Sequence, residues 1–136
     1  MAKYFFFAFS DCKDPDREEE FSEWYANTHI PDMLQVPGMI KATRWEAAEP
    51  KANMKRKYLA LYEFETDDIA QFNADVQKQG KWTMQAGRFS DLPEFDPDNI
   101  PRIYKRVMRE KKPKAVKKPA LKKPAAKKTS TRKTKK

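Results

Sequence analysis

His29 is the single histidine of the chain, and histidine is the side chain whose ordinary pKa lies nearest neutrality. It stands four residues after Tyr25 and two before Pro31, a spacing that puts imidazole and phenol on one face of a helix. There His29 can act as a general base or donate to a substrate carbonyl, with Tyr25 orienting it or donating to a substrate oxygen. The plainer alternatives are a histidine that closes the helix by bonding backbone carbonyls near Pro31 and a tyrosine that belongs to the core. Trp24 can wall a binding site, or simply pack. Asp32 can pair with His29 or stand as an exposed turn residue. Arg44 carries a fork of donors suited to an anionic group, and its plainer reading is an ordinary edge-strand charge.

Other chemistries lack their residues. Cys12 is the only cysteine, so an internal disulfide framework and a multi-cysteine metal site are both excluded, which favours a reducing compartment. With no second catalytic partner nearby in sequence, Cys12 reads as an inert thiol, and the expected location is cytoplasmic. Gly38, Gly80 and Gly87 are the only glycines, too few and too scattered for a phosphate-binding loop. Asp96 and Asp98 sit two apart in a loop without further ligands. No metal and no cofactor is expected. No apolar run approaches the ~20 residues that span a bilayer. The aromatic run Tyr4 to Phe9 stops at Ser10 and Asp11, with no small-residue cleavage site after it.

The elements that must position these residues follow from periodicity. Lys3 to Ser10 reads as a strand, apolar on both alternate sets. Asp14 and Pro15 then start a helix, with Asp16, Glu18, Glu19 and Glu20 at its positive end. Phe21, Trp24, Tyr25 and Thr28 form its stripe, and Pro31 ends or kinks it. After the Pro37-Gly38 turn, strands are predicted over Met39 to Glu46 and Lys57 to Glu65. Thr66 is the predicted cap of a second helix carrying Ile69, Phe72 and Val76; Gly80 interrupts it, and Lys81 to Ala86 adds a turn. Leu92 to Pro101 reads as loop, and Ile103 to Met108 as the last strand.

Strand, helix, strand, strand, helix, strand is the order of an α+β, ferredoxin-like βαββαβ sandwich. The first and third strands, apolar on both faces, belong at the centre. The second and last carry Lys41, Arg44, Lys105 and Arg106 and belong at the edges. Two helices cover one face of such a sheet. The aromatic side chains of the other face need a second cover, and a second copy of the sheet is the simplest one, so a homodimer is expected.

The stretch from Phe21 to Arg44, F-x-x-W-Y-x-x-x-H-I-P-D-M-L-x-V-P-G-x-x-x-A-x-R, resembles the helix-to-second-strand signature of the EthD-like, antibiotic-biosynthesis-monooxygenase-like dimeric α+β barrel superfamily. With the flanking strands and helix, the similarity covers roughly residues 1–110. The resemblance implies two sheets closing one barrel across a dimer, and a site between helices and sheet in each protomer. It implies no particular substrate. Any enzymatic activity would be that of a cofactor-independent lyase, isomerase, cyclase or monooxygenase. Haem-binding relatives use a histidine on a later helix, which this chain lacks.

Charge divides the chain sharply. Lys and Arg total 29 against 20 Asp and Glu. Thirteen of the basic residues fall in 111–136 with no acidic one: Lys111, Lys112, Lys114, Lys117, Lys118, Lys122, Lys123, Lys127, Lys128, Arg132, Lys133, Lys135 and Lys136. Residues 1–110 are left with 16 basic and 20 acidic side chains, net −4. A domain over 1–110 and a disordered basic tail over 111–136 are therefore expected. The tail's repeats, AVKKP, ALKKP and AAKKT, are similar in composition to the tails of linker histones and histone-like bacterial proteins. Such a run can neutralise phosphates of DNA, RNA or another polyanion without reading sequence. Two functions follow as expectations: a dimeric barrel that binds a small organic molecule near His29 and carries a polyanion-binding tail, or a nonspecific nucleic-acid-associated protein whose barrel serves mainly to dimerise.

Overall fold

Alternation along Ala2–Cys12 (β1) sends Tyr4, Phe6, Ala8 and Ser10 to one side of a sheet and Phe5, Phe7 and Phe9 to the other. The computed structural model describes residues 1–51, 55–95 and 102–114. In it β1 pairs antiparallel with β3 (Tyr58–Thr66), from Ala2 opposite Thr66 to Ser10 opposite Tyr58. β3 in turn pairs with β2 (Met39–Glu46). The other edge of β1 takes two short strands: β4 (Pro93–Phe95) against Ser10 to Cys12, and β5 (Arg102–Lys105) against Tyr4 to Phe7. The order β2-β3-β1-β4, with β5 also on β1, keeps the first and third strands central. It is the α+β ferredoxin-like arrangement that the sequence predicts.

One face is covered by helices. A 3-10 turn over Pro15–Arg17 is capped by Asp14, whose carboxylate accepts from the Asp16 amide. It leads into α1 (Glu18–Trp24), a π-helical turn (Tyr25–His29) and α2 (Ile30–Met33). α3 (Ile69–Gln85) lies beside α2. Between this layer and the sheet, Phe6 stacks on Tyr62 at 4.5 Å and Phe64 on Phe72 at 3.7 Å, with Phe21, Tyr25 and Leu92 fully buried around them. Each such side chain contributes about 1.5–3 kcal/mol by leaving water. Gly38, immediately before β2, stands at φ +97°, where a Cβ would lie 2.5 Å from the Glu65 carbonyl oxygen. Only glycine fits that turn.

Several local expectations are corrected. The helical path does not end at Pro31. It passes through the π turn, where the Ile30 amide bonds the Tyr25 carbonyl, and Pro31 occupies the first turn of α2. A proline cannot donate to the preceding turn, and the wider π turn accommodates that missing donor. Gly80 does not break α3, which continues to Gln85; the helix absorbs one glycine at modest cost. Asp68, rather than Thr66, caps α3 by accepting from the Gln71 amide, and the Thr66 hydroxyl instead bonds Asp68 backbone. The expected loop from Leu92 contains β4, because Leu92 is buried and Pro93 tolerates an edge position opposite Cys12. The last strand closes at Lys105, short of Met108. Asp96, Asp98 and the tail from Ala115 onward lie outside the described residues.

Among the described residues nothing covers the second face of the sheet. Phe5, Phe7 and Phe9 line up there with Leu59, Leu61 and Trp45. Trp45 is 57% exposed and Tyr104, packed on Phe7 at 5.1 Å, is 46% exposed.

Candidate functional site

Tyr25 and His29 bound the π turn, so both rings are aimed by a backbone geometry that is rare and recurs at functional sites. The His29 ring stacks on Trp24 at 4.8 Å and meets Tyr25 edge-on at 5.1 Å. Phe89, from the segment after α3, closes a third side at 5.7 Å. Among the described residues none hydrogen-bonds the imidazole. Its surroundings disfavour the charged form: burial pulls the His29 pKa down to about 4, against the partial opposition of nearby Asp32. His29 is therefore neutral at pH 7, and among the described residues neither nitrogen has a partner.

Asp32 does not pair with His29, nor is it exposed. It is buried, and its carboxylate accepts two bonds from Arg88, from Nε at 2.7 Å and Nη2 at 3.0 Å. The Trp24 indole donates to the Arg88 carbonyl at 2.9 Å. These bonds fix the strap that follows the Gly87 turn, and with it Phe89, over Trp24 and His29.

Arg44 departs from the picture of an edge-strand charge. Opposite Ala60 in the register, it projects towards the helices, and its Cζ lies 4.4 Å from the Tyr58 ring centre, 4.7 Å from Tyr25 and 5.1 Å from Phe21. Nη1 donates to the Ser22 hydroxyl at 3.2 Å. Among the described residues Nε and Nη2 are buried without a partner, as is the Tyr25 hydroxyl. Burial raises the Tyr25 pKa to about 12 against the opposing pull of Arg44; Ser10 lies beside that phenol without completing a hydrogen bond. Burial likewise raises Tyr62 well above its ordinary value, with Tyr25 and Arg44 its electrostatic neighbours. Of the sequence candidates, Trp24, Tyr25, His29 and Arg44 thus converge on one region, with Tyr25 shared between the imidazole and the guanidinium. Asp32 serves the strap.

Residues 13–91 match the sequence profile of a family described as a domain of unknown function, DUF4286. The chain belongs to this family. Among curated proteins none matches the sequence. Solved structures share the fold of the DUF4286 domain at low identity. HapK from Hahella chejuensis superposes with a TM-score of 0.57 at 17% identity, over 82% of this chain and 99% of that one. An EthD family protein from Bacillus halodurans C-125 gives 0.50 at 18% identity, over 79% and 100%. A candidate monooxygenase from Shewanella loihica PV-4 gives 0.50 at 16%, over 80% and 97%. The DUF4286 domain therefore has the fold of the EthD-like and monooxygenase-like proteins.

Four contributors to the candidate site are not legible from spacing. Arg88 and Phe89 follow a helix end and carry no periodic signal. Ser22 sits beside the apolar stripe of α1, and Tyr58 alternates among other β3 aromatics. The alternation of β2 does place Arg44 and Ala42 on one face, and that is the signal that could have turned Arg44 inward. Among the described residues no group of three or more His, Cys, Asp or Glu side chains could hold a metal ion, and no helix is long and apolar enough to cross a membrane.

Proposed function

We infer that the domain binds a planar small organic molecule against His29. The observation that carries this reading is a neutral imidazole, free of hydrogen bonds from the described residues, held among the rings of Trp24, Tyr25 and Phe89. Aromatic walls accept a flat apolar body by stacking, and a neutral imidazole offers it one donor and one acceptor. At a pKa of about 4, His29 is a poor general base at pH 7 and a good hydrogen-bond partner. A bound group that brings negative charge beside it would raise that pKa and restore base strength. If turnover follows binding, it is the cofactor-independent chemistry implied by the EthD-like resemblance, with Tyr25 as the donor.

The uncovered sheet face supports pairing of two copies into one barrel, since a patch containing Phe5, Phe7, Phe9, Trp45 and Tyr104 is costly to leave in water. The thirteen cations of 111–136 support a second role, attachment of each protomer to a polyanion. A barrel that serves mainly to present two such tails on one particle is the competing reading.

The test uses the single histidine as a reporter. Adding 2-naphthamide to the full chain should shift the His29 ring resonances in a saturable way, and His29→Gln should weaken that binding while preserving the fold. Unmoved resonances at millimolar ligand would defeat the reading.

A further inference from the structure

Three arginines of this chain present the same edge of the guanidinium plane, that of Nε and Nη2, in three settings. Arg17 turns it on Glu20, at 3.0 Å from Nε to Oε1 and 2.7 Å from Nη2 to Oε2. Arg88 turns it on Asp32, at 2.7 and 3.0 Å. Arg44 has the same two nitrogens buried, and among the described residues no acceptor meets either of them. This edge matches the two oxygens of a carboxylate, which is why both other pairs are bidentate.

The charge at Arg44 is equally unanswered. Among the described residues no carboxylate forms an ion pair with it. Glu46 acts on it only at a distance. Glu18 is engaged elsewhere, accepting from Lys57 Nζ at 2.8 Å and from the Tyr58 hydroxyl. Arginine keeps its proton in proteins, so a full positive charge stands among the rings of Phe21, Tyr25 and Tyr58. Cation–π contact offsets part of that cost, but it leaves the in-plane N–H donors unsatisfied. Tyr25, whose ring centre lies 4.7 Å from the Arg44 Cζ, carries a further buried donor, its hydroxyl, without a partner among the described residues. One counter-ion with two coplanar oxygens would satisfy all three donors and supply the missing charge.

We propose that the ligand is an organic acid whose carboxylate is gripped by Nε and Nη2 of Arg44 and by the Tyr25 hydroxyl. The inference rests on the reading of a planar ligand at His29 and adds its chemical class. Tyr25 links the two ends: its ring lies 4.7 Å from the Arg44 guanidinium and 5.1 Å from the imidazole. The acid group sits at Arg44, and the flat body runs towards Trp24, His29 and Phe89. Ser22 holds Nη1 and so fixes the orientation of the fork.

Calorimetric titration of the full chain compares 2-naphthoate with its neutral isostere 2-naphthamide, in the wild type and in Arg44→Met. The wild type should prefer the acid by roughly tenfold or more, the range of a charge-assisted hydrogen bond. Arg44→Met should bind both alike. It should also melt no lower than the wild type, because removing a buried uncompensated charge relieves its desolvation cost; a residue kept only for packing would melt lower when lost. If Arg44→Met does not fold, Arg44→Lys carries the same comparison, since it keeps the charge but loses the fork and should lose most of the preference. Equal binding of acid and amide to the wild type overturns the acid assignment and leaves the His29 reading standing. A preference that survives Arg44→Met overturns it too, by placing the carboxylate elsewhere, on the tail lysines for instance. If neither probe binds, both readings fall together.

Discussion

Arg88 meets the buried Asp32 carboxylate edge-on, Nε to Oδ2 at 2.7 Å and Nη2 to Oδ1 at 3.0 Å, tying the segment after α3 to α2 across 56 positions of sequence. The pair stands at the base of the strap that lays Phe89 on Trp24 and His29. Its first consequence concerns access. Arg88→Ala leaves a buried carboxylate without its partner and frees the strap, so the melting temperature should fall. With Phe89 no longer held, water reaches the imidazole and the His29 pKa should climb from about 4 towards its ordinary 6.5. An NMR titration of the lone histidine reads this directly. A His29 pKa unmoved in both Arg88→Ala and Phe89→Ala would show that the strap does not shield it.

The depressed His29 pKa also makes folding sensitive to acid in a defined window. The folded state resists protonation down to about pH 4, while the unfolded chain takes up the proton near 6.5. Between those values the unfolded state binds more protons, so this contribution to stability is complete above pH 6.5 and is lost as the pH falls towards 4. Its upper bound is about 3 kcal/mol, because each tenfold change in proton affinity between the two states is worth roughly 1.4 kcal/mol. Urea melts of wild type and His29→Gln at several values from pH 7.5 to 4 isolate it, because the carboxylates are common to both. Parallel stability curves for the two proteins would exclude a buried neutral imidazole.

Strand order and helix layer are legible in the sequence because period-2 alternation in β1 and β3 and the Phe21–Trp24–Tyr25 stripe are strong, local signals. The site is legible only in part. Tyr25 and His29 are four apart on one helical segment, so their proximity is legible from spacing, although the π turn that aims the two rings is not. For Arg44 the sequence admits both a binding role and a surface charge; local sequence does not decide, because its cage comes from Phe21 on α1, Tyr25 on the π turn and Tyr58 on β3. Asp32 escapes local reading for the same reason, since its partner Arg88 is 56 positions away. Gly80 and Thr66 show the opposite failure. There a local rule is clear, and tertiary packing of α3 together with the better cap at Asp68 overrides it.

Dimerisation through the open sheet face is testable by mass. The full chain of 16.0 kDa should sediment as a species of twice that mass at micromolar concentration. Phe7 lies opposite Leu61, in the middle of that face. Phe7→Asp or Leu61→Asp would bury a charge at the interface, and each should yield a folded monomer. A wild-type chain that is cleanly monomeric at tens of micromolar would remove the barrel from the proposal.

The basic tail separates two ways of using the proposed dimer. Its cations should bind duplex DNA or RNA through phosphates alone, with no preference among sequences. If about six to ten contacts form, affinity should fall roughly 10³–10⁵-fold between 50 and 200 mM salt. A chain ending at Glu110 keeps a net charge of −4, which phosphates repel, so it should not bind. Two tails on one dimer raise avidity without a new contact, so the monomeric Leu61→Asp variant should bind more weakly than the wild type at equal tail concentration. Two unrelated duplexes titrated against all three proteins decide the matter. Retained binding by the shortened chain, or a strong preference for one duplex at fixed salt, would move recognition from the tail to the folded domain. Loss of avidity in the monomer with unchanged naphthoate binding would show that barrel and tail perform separate tasks, because the acid site lies wholly within one protomer.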